Sequence, residues 1–239
     1  MKPNRFFYPT AGAIFLLLMV IGFRHFLVGG AHADGSPIDP AIHSVVVLHG
    51  MAIMAWYVLF FVQSLLISAR NRKLHMKLGW SVLVIGATIA CTGTLVAIRS
   101  VQVAPTDFRF FNMEYRRFLL VMLTEIALFT AFATVGVLTR KRPKIHRPMM
   151  LMASLTILAG ATARMPFLSP VFGQSGWVGL FGPVFCLGAA LLMVRFAMTR
   201  SLDRWFAAGY AFCVITFIAS EKLSLTSTWS DWAATILKL

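Results

Sequence analysis

The sequence predicts an all-α protein, a polytopic bundle of about seven transmembrane helices that forms one domain over residues 1–239. The first observation is composition. Hydrophobic residues make up 59% of the chain and charged residues 13%, whereas soluble domains have roughly 45–50% and 25%. The second is that apolar residues come in blocks of roughly 20, the length that crosses about 30 Å of hydrocarbon. Such blocks are predicted to be helical, because a helix satisfies its own backbone groups in lipid.

The apolar blocks follow one another with short connections, apart from segments 29–40 and 100–115, so no soluble domain is predicted between them. The first block begins at Phe7. It is predicted to be a retained span rather than a signal peptide, because it is long and lacks a small-residue cleavage site. The predicted spans are 7–28, 41–68, 78–98, 118–139, 149–168, 178–198 and 205–223.

The net charge of +14 is distributed unevenly along the chain. With a cytoplasmic N-terminus, 14 of the 22 lysines and arginines lie on the cytoplasmic side, together with one of the eight acids, Asp203. This is the positive-inside asymmetry that orients membrane proteins. We therefore predict a multi-pass protein of the bacterial inner membrane whose basic charge faces lipid phosphates, with no nucleic-acid partner. The cytoplasmic cations are Lys2, Arg5, Arg70, Arg72, Lys73, Lys77, Arg140, Lys141, Arg142, Lys144, Arg147, Arg195, Arg200 and Arg204.

The C-terminal segment 228–238 is predicted to form a short amphipathic helix on the outer membrane surface. Its apolar residues follow helical spacing, and polar residues fill the other side. Thr228 and Asp231 resemble a capping box, and the two indoles are expected at headgroup level. A frayed tail is the alternative. The apolar residues are Trp229, Trp232, Ala233, Ile236 and Leu237.

Span two carries polar residues that a helix surrounded by lipid would not carry. His49, Trp56 and Gln63 are seven residues apart, so they form one stripe that drifts only about 20° per heptad. Polar side chains at membrane depth normally face the protein interior or a cavity. This face of span two is therefore predicted to point into the bundle.

Span three carries glycines at the same spacing, at Gly79, Gly86 and Gly93. Such a seam allows close packing of two helices, or it allows a flat cofactor to lie against the helix. The seam begins four residues after His75. That adjacency is the reason to consider a cofactor at this helix.

Glu125 is the carboxylate placed deep in the membrane, near the middle of span four. An unpaired carboxylate is costly there, so it is expected to be protonated or paired. His49 lies at a similar depth, about 10–15 Å from the outer face, and Arg164 lies a few residues shallower. With Trp56 and Gln63 these residues form the predicted buried polar cluster, which serves either as a functional site or as a set of interhelical ties.

His75 and His146 form a second candidate site on the cytoplasmic side, with His49 as a further candidate cofactor ligand. Two imidazoles on neighbouring helices can ligate a haem iron axially, and the arginines around them suit the haem propionates. Haem b is therefore the cofactor that this pair predicts. Hydrogen bonds to lipid phosphate or to a loop carbonyl are the alternative explanation of the same histidines. No other metal site is predicted.

The chain resembles a family of uncharacterised bacterial multi-spanning membrane proteins over about its first 170 residues. The resemblance implies the bundle fold and a bacterial inner-membrane location. Family members often have Asp at the position of Glu125. A looser likeness links the chain to b561-type membrane cytochromes, which place haem between transmembrane histidines. The matching motifs are Phe7-Tyr8-Pro9, Gly22-Phe23, His49-Gly50, Trp56 with Leu59-Phe60, Gln63, His75 with Leu78-Gly79, and Arg142-Pro143-Lys144-Ile145-His146 with Met149-Met150 and Arg164.

Three function classes are compatible with these features. The first is a redox or electron-transfer membrane protein or subunit with a haem or quinone site, and the second is a non-catalytic accessory subunit of a larger membrane complex. The third is a small transporter with a buried Glu/His site. No nucleotide-binding loop, HExxH helix or nucleophile elbow occurs, which argues against soluble-type hydrolase or kinase chemistry. Spans six and seven are expected to offer an aromatic surface to lipid or a partner subunit, built from Phe181, Phe185, Phe196, Phe206, Phe212 and Phe217.

Overall fold

A computed structural model describes residues 5–31, 35–105, 107–173 and 176–238. Lys2, one of the cations counted above, lies outside the described residues. Within them the chain forms twelve α-helices, a 3-10 turn over Pro166–Leu168 and a two-stranded hairpin. The elements are α1 (Phe7–Gly22), α2 (Arg24–Gly29), α3 (Pro40–Ser68), α4 (Arg72–Leu78), α5 (Ser81–Val103), β1 (Arg109–Phe110), β2 (Met113–Glu114), α6 (Tyr115–Leu138), α7 (Pro143–Thr156), α8 (Ala159–Thr162), α9 (Ser169–Phe172), α10 (Gly176–Thr199), α11 (Arg204–Ser224) and α12 (Ser227–Ile236).

Five helical segments of the described chain are long and apolar enough to cross a membrane, which identifies a multi-pass membrane protein. A sixth is added if the bent pair Pro143–Thr162 and Pro166–Phe172 forms one span. The helical membrane bundle predicted from the sequence is confirmed at this level. The five segments are Pro40–Ser68, Arg72–Val103, Tyr115–Leu138, Gly176–Thr199 and Arg204–Ser224.

The first apolar block is divided between α1 and α2. α1 contains 16 residues, or roughly 24 Å, which is shorter than about 30 Å of hydrocarbon. Phe23 separates the two helices, yet its N–H donates to Met19 O at 3.0 Å and its carbonyl accepts from Leu27 N–H at 2.9 Å. Helical hydrogen bonding therefore continues from α1 into α2.

The fifth apolar block does not form one straight helix. Pro143–Thr162 and Pro166–Phe172 are inclined to each other at 95°. Met165 is extended (φ −106°, ψ 97°), because the ring of Pro166 disfavours the helical conformation in the residue before it. The apolar block 149–168 is therefore bent and is not one straight helix, and Arg164 lies at the break.

α3 and α6 are the central helices of the bundle. α3 packs against α1 and α5, and α6 packs against α5, α7 and α11. Large side chains from several helices meet in one core, and Phe15, Trp56, Phe129, Leu151 and Phe181 are almost completely buried there. Residues from α1, α3, α6, α7 and α10 thus share a single interior.

The two ends of the bundle differ in charge and structure. We call the end that contains Arg70, Arg140 and Arg200 the basic end, and the end that contains β1 and β2 the hairpin end. Arg70 and Arg200 have left-handed backbone (φ 61° and 54°), a conformation that terminates helices. At the hairpin end, Arg109 pairs with Glu114 in an antiparallel register.

α12 packs onto the hairpin end of α5 and α6. Trp229 is 7% exposed and packs with Ala97 and Leu119 in a second, smaller core. Its indole N–H donates to the carbonyl of Arg116 at 3.1 Å, whereas Trp232 is 66% exposed. Trp229 therefore packs on protein, and Trp232 is the indole that faces outward.

The N-terminal cap of α12 also differs from the prediction. Thr226 is the N-cap, and its Oγ1 accepts from the N–H of Trp229 at 3.2 Å. The predicted capping box at Thr228 and Asp231 is wrong, because the helix begins before Thr228. A threonine that caps the third residue of the helix satisfies one of its free N–H groups.

Alanine in place of Trp229 should detach α12 from the bundle. The substitution removes a buried indole and its hydrogen bond, and Trp→Ala changes in cores cost about 3–5 kcal/mol. Amide hydrogen exchange over 227–236 should increase strongly in this variant. Trp232→Ala is the matched control, because that side chain is exposed, and equal exchange in the two variants would contradict the packing.

Spans six and seven contribute to the core instead of forming only an outer surface. Phe181 and Phe206 are 1% exposed and Phe217 is 2% exposed, and the rings of Phe181 and Phe217 lie 4.0 Å apart. The predicted aromatic surface is therefore wrong for these three residues. Phe196 and Phe212, which are about half exposed, do face outward.

Candidate functional site

The polar stripe of α3 lies against the glycine seam that runs from α4 into α5. In each of three pairs, a Cβ added to the glycine would fall 2.9–3.7 Å from the α3 side chain. α3 runs antiparallel to α4 and α5. Because the polar residues and the glycines both repeat every seven residues, each polar residue meets one glycine. The seam is filled by α3 side chains, which favours close helix packing over a cofactor lying along the helix. The pairs are His49 with Gly93, Trp56 with Gly86, and Gln63 with Gly79.

Gly93→Ala should destabilise the protein, whereas Gly86→Ala should not. A Cβ at Gly93 would lie 2.9 Å from His49 Cε1 and would also meet the side chain of Ile126, and such overpacking costs about 1–3 kcal/mol. A Cβ at Gly86 would lie 3.6 Å from Trp56, an ordinary contact. Thermal denaturation in detergent measures the stability of both variants. Equal midpoints for the two variants would contradict the proposed contact.

Two members of the stripe have hydrogen-bond partners on neighbouring helices. His49 Nδ1 lies 3.0 Å from the Thr92 hydroxyl of α5, and Trp56 Nε1–H donates to the Ser154 hydroxyl of α7 at 3.0 Å. The adjacent Tyr57 hydroxyl donates to the main-chain carbonyl of Ser154 at 2.8 Å. Polar contacts therefore tie α3 to both α5 and α7.

Ser154 was not predicted from the sequence, although it is completely buried and accepts from Trp56. Its hydroxyl also donates to the Met150 carbonyl one turn earlier, at 3.0 Å. Serine in a membrane helix commonly makes this local bond. The sequence therefore carries no signal that distinguishes Ser154 from an ordinary helical serine.

Gln63 is the exception in the stripe. Its side-chain Oε1 and Nε2 are both buried and have no hydrogen-bond partner among the described residues. A buried polar group left unpaired costs roughly 1–3 kcal/mol and is rare in folded proteins. The main-chain carbonyl of the same residue lies 3.3 Å from Nδ1 of His75. An amide with unused hydrogen-bonding capacity thus lies in the immediate surroundings of His75.

His75 and His146 meet at the basic end of the bundle. Their ring centroids are 6.4 Å apart and the ring planes are inclined at 83°. Nδ1 of His75 faces the Gln63 carbonyl at 3.3 Å, and Nδ1 of His146 faces the Gly136 carbonyl at 2.8 Å. A carbonyl can only accept, so each Nδ1 carries the proton and each Nε2 keeps its lone pair. Both histidines thus have the tautomer that binds a metal through Nε2.

Two arginines contribute positive charge near this pair. The guanidinium groups of Arg72 and Arg147 act electrostatically on His75, and that of Arg147 also acts on His146. Clustered cations produce a local positive potential that attracts anions. The site therefore combines two available imidazole nitrogens with charges that favour an anionic partner.

Glu125 and Arg164 do not form an ion pair within the described residues. Glu125 lies within electrostatic range of Arg164 and Tyr57, but no hydrogen bond or ion pair links it to another residue in the described ranges. Arg164 instead donates from Nη1 to the Gly160 carbonyl at 2.5 Å. Its guanidinium carbon lies 4.6 Å from the centroid of the Phe23 ring. Arg164 is therefore held at the helix break by contacts other than Glu125.

The predicted polar cluster is thus distributed over separate contacts. His49 bonds Thr92, Arg164 bonds Gly160, and no hydrogen bond or ion pair joins His49, Glu125 and Arg164 to one another within the part of the chain that the structure describes. The histidine pair at the basic end is the other group of candidate residues that the fold brings together.

The described residues contain no group of three or more His, Cys, Asp or Glu side chains that could hold a metal ion. Zinc sites built entirely from protein need three or four such ligands. The His75–His146 pair suits a metal that brings most of its ligands with it, as haem iron does.

Comparison with known proteins adds no relative to this description. No family model, no curated protein and no solved structure matches the chain.

Proposed function

We propose that this chain is an electron-transfer protein of the bacterial inner membrane that binds one haem b between His75 and His146. In this proposal the chain has seven spans, with α1–α2 as the first and the bent segment Pro143–Phe172 as the fifth. The N-terminus and the basic end are cytoplasmic, and α12 lies at the outer surface. The observation that carries the proposal is the separation of the two imidazole rings, 6.4 Å.

This separation leaves room for one metal between the two rings. A metal–histidine bond is about 2 Å long, so a metal bound by Nε2 of both histidines would fit between rings whose centroids are 6.4 Å apart. His75 and His146 would then hold the iron of a haem together.

The hydrogen bonds to Nδ1 support the same assignment. Histidines that bind metals usually donate the other ring N–H to a carbonyl or carboxylate, which fixes the tautomer and the ring orientation. His75 and His146 do this through the carbonyls of Gln63 and Gly136. When bound, a haem supplies one-electron transfer at this position.

The surroundings of the histidine pair are suited to the two carboxylates of a haem. Arg72 and Arg147 act on the histidines, and arginine is well suited to binding carboxylates. His49 cannot serve the same group, because it precedes Gln63 by fourteen residues on α3, a distance of about 21 Å. One haem at the basic end is therefore the assignment that these contacts support.

An optical spectrum of the purified chain tests the proposal. The full chain is expressed with haem available, purified in detergent and measured in the oxidised and dithionite-reduced states. We expect a Soret band that shifts on reduction, with stoichiometric haem. A preparation without a Soret band would contradict the proposal. Partner chains that copurify without haem would instead favour the accessory subunit, and solute uptake by haem-free proteoliposomes would favour the transporter.

A further inference from the structure

The three residues of the α3 stripe differ in one respect. His49 and Trp56 each have a partner 3.0 Å away on a neighbouring helix. Gln63 has none for either side-chain atom among the described residues, although both atoms are buried. A polar side chain at membrane depth normally pairs with protein or lines a site. The unpaired amide is therefore the feature of the stripe that its helix-packing role leaves unexplained.

The position of this amide connects it to the histidine pair. The main-chain carbonyl of Gln63 accepts a hydrogen bond from Nδ1 of His75. The centroid of the His75 ring lies 6.4 Å from that of the His146 ring. Gly79 lies opposite, and a Cβ there would fall 3.7 Å from Gln63 Nε2 and 3.0 Å from the His75 carbonyl oxygen. Gly79 thus lies next to both the Gln63 amide and the main chain of His75.

We infer that the side-chain amide of Gln63 is a binding group for the ligand held by His75 and His146, and that Nε2 donates a hydrogen bond to an anionic oxygen of that ligand. The inference rests on the proposed function, in which the ligand is a haem and the anionic oxygen belongs to a haem carboxylate. Arg72 and Arg147 bring positive charge to the same region. Gln63 adds a hydrogen-bond donor of fixed direction beside these positive charges. The bound ligand in turn gives the buried amide the hydrogen-bond partner that it lacks among the described residues.

The inference predicts opposite effects on folding and on binding. Gln63→Leu removes no hydrogen bond within the described chain, so the ligand-free variant should be at least as stable as wild type. The same variant should bind haem roughly ten- to a hundredfold more weakly, because a hydrogen bond to a charged group is lost. Gln63→Glu should also bind haem more weakly, because it places a carboxylate against an anion.

Haem titration into the ligand-free protein in detergent measures the affinity, and the Soret maximum and the midpoint potential are recorded on the same samples. Gln102→Leu is the matched control. Gln102 donates to the Leu237 carbonyl at the hairpin end, so its loss should leave haem affinity unchanged. Thermal denaturation of the ligand-free proteins separates binding from folding.

Two results overturn the inference in distinguishable ways. If wild type binds haem and Gln63→Leu matches it in affinity, Soret maximum and midpoint potential, the role of Gln63 is wrong and the haem site stands. If wild type binds no haem, the proposed function is wrong and the role of Gln63 falls with it.

Discussion

We expect the His146→Ala protein to purify without the absorbance of bound haem. The substitution removes one of the two histidines proposed to hold the iron, whose rings lie 6.4 Å apart. The fold should survive, because the change deletes one hydrogen bond to the Gly136 carbonyl, and such a bond contributes about 0.5–1.5 kcal/mol. Optical spectra and haem extraction from equal amounts of purified protein measure the loss. His75→Ala should behave in the same way.

Two additional measurements make this result specific. His43→Ala is the matched control. His43 is exposed near the start of α3, whereas Gln63, which contacts His75, lies near the end of that helix. Its spectrum should match wild type. Free imidazole added to His146→Ala in the presence of haem should restore part of the Soret band by refilling the ligand position. Unchanged haem content in both His75→Ala and His146→Ala would contradict a role of this pair in binding haem.

Gly22→Ala is expected to destabilise the whole bundle. A Cβ at Gly22 would lie 2.8 Å from both the Cα and the carbonyl carbon of Ala161, and closer still to its carbonyl oxygen. These are backbone atoms of α8, which packs against α1, so relief requires a helix to move rather than a side chain to rotate. We expect a loss of about 3 kcal/mol, the upper part of the range for overpacked sites.

The stability change is measured as a shift in the thermal midpoint of the detergent-solubilised protein and as a loss of monodisperse material. Gly29→Ala is the matched control. Gly29 ends α2, and a Cβ there would meet no atom within 4 Å, so that variant should melt with wild type. If Gly22→Ala and Gly29→Ala have the same thermal midpoint, the close approach of α1 to α8 is wrong.

The long helices were predictable because their signal is local. The predicted span 41–68 corresponds to Pro40–Ser68, and 205–223 corresponds to Arg204–Ser224. In both, the length and apolar character of the block are sufficient to define a helix. The break after Thr162 also has a local cause, at Pro166. The apolar residues on both sides of this proline nevertheless favour one uninterrupted span, so hydropathy alone conceals the break.

The candidate site was less predictable, because it depends on which helices are neighbours. The sequence placed His75 and His146 at corresponding ends of two spans, but not in contact. Their separation follows from the packing of α3 between α1 and α5 and of α6 against α7. The burial of Trp229 likewise depends on Leu119 of α6, and amphipathic spacing alone does not distinguish a helix packed on protein from one lying on lipid.

Electron paramagnetic resonance of the oxidised, haem-loaded protein tests most directly whether His75 and His146 together hold the iron. Two imidazole ligands would make ferric haem iron low-spin. We predict a low-spin signal in wild type and its disappearance in His75→Ala and His146→Ala. A high-spin ferric signal in wild type, or a low-spin signal that persists in both variants, would contradict the assignment.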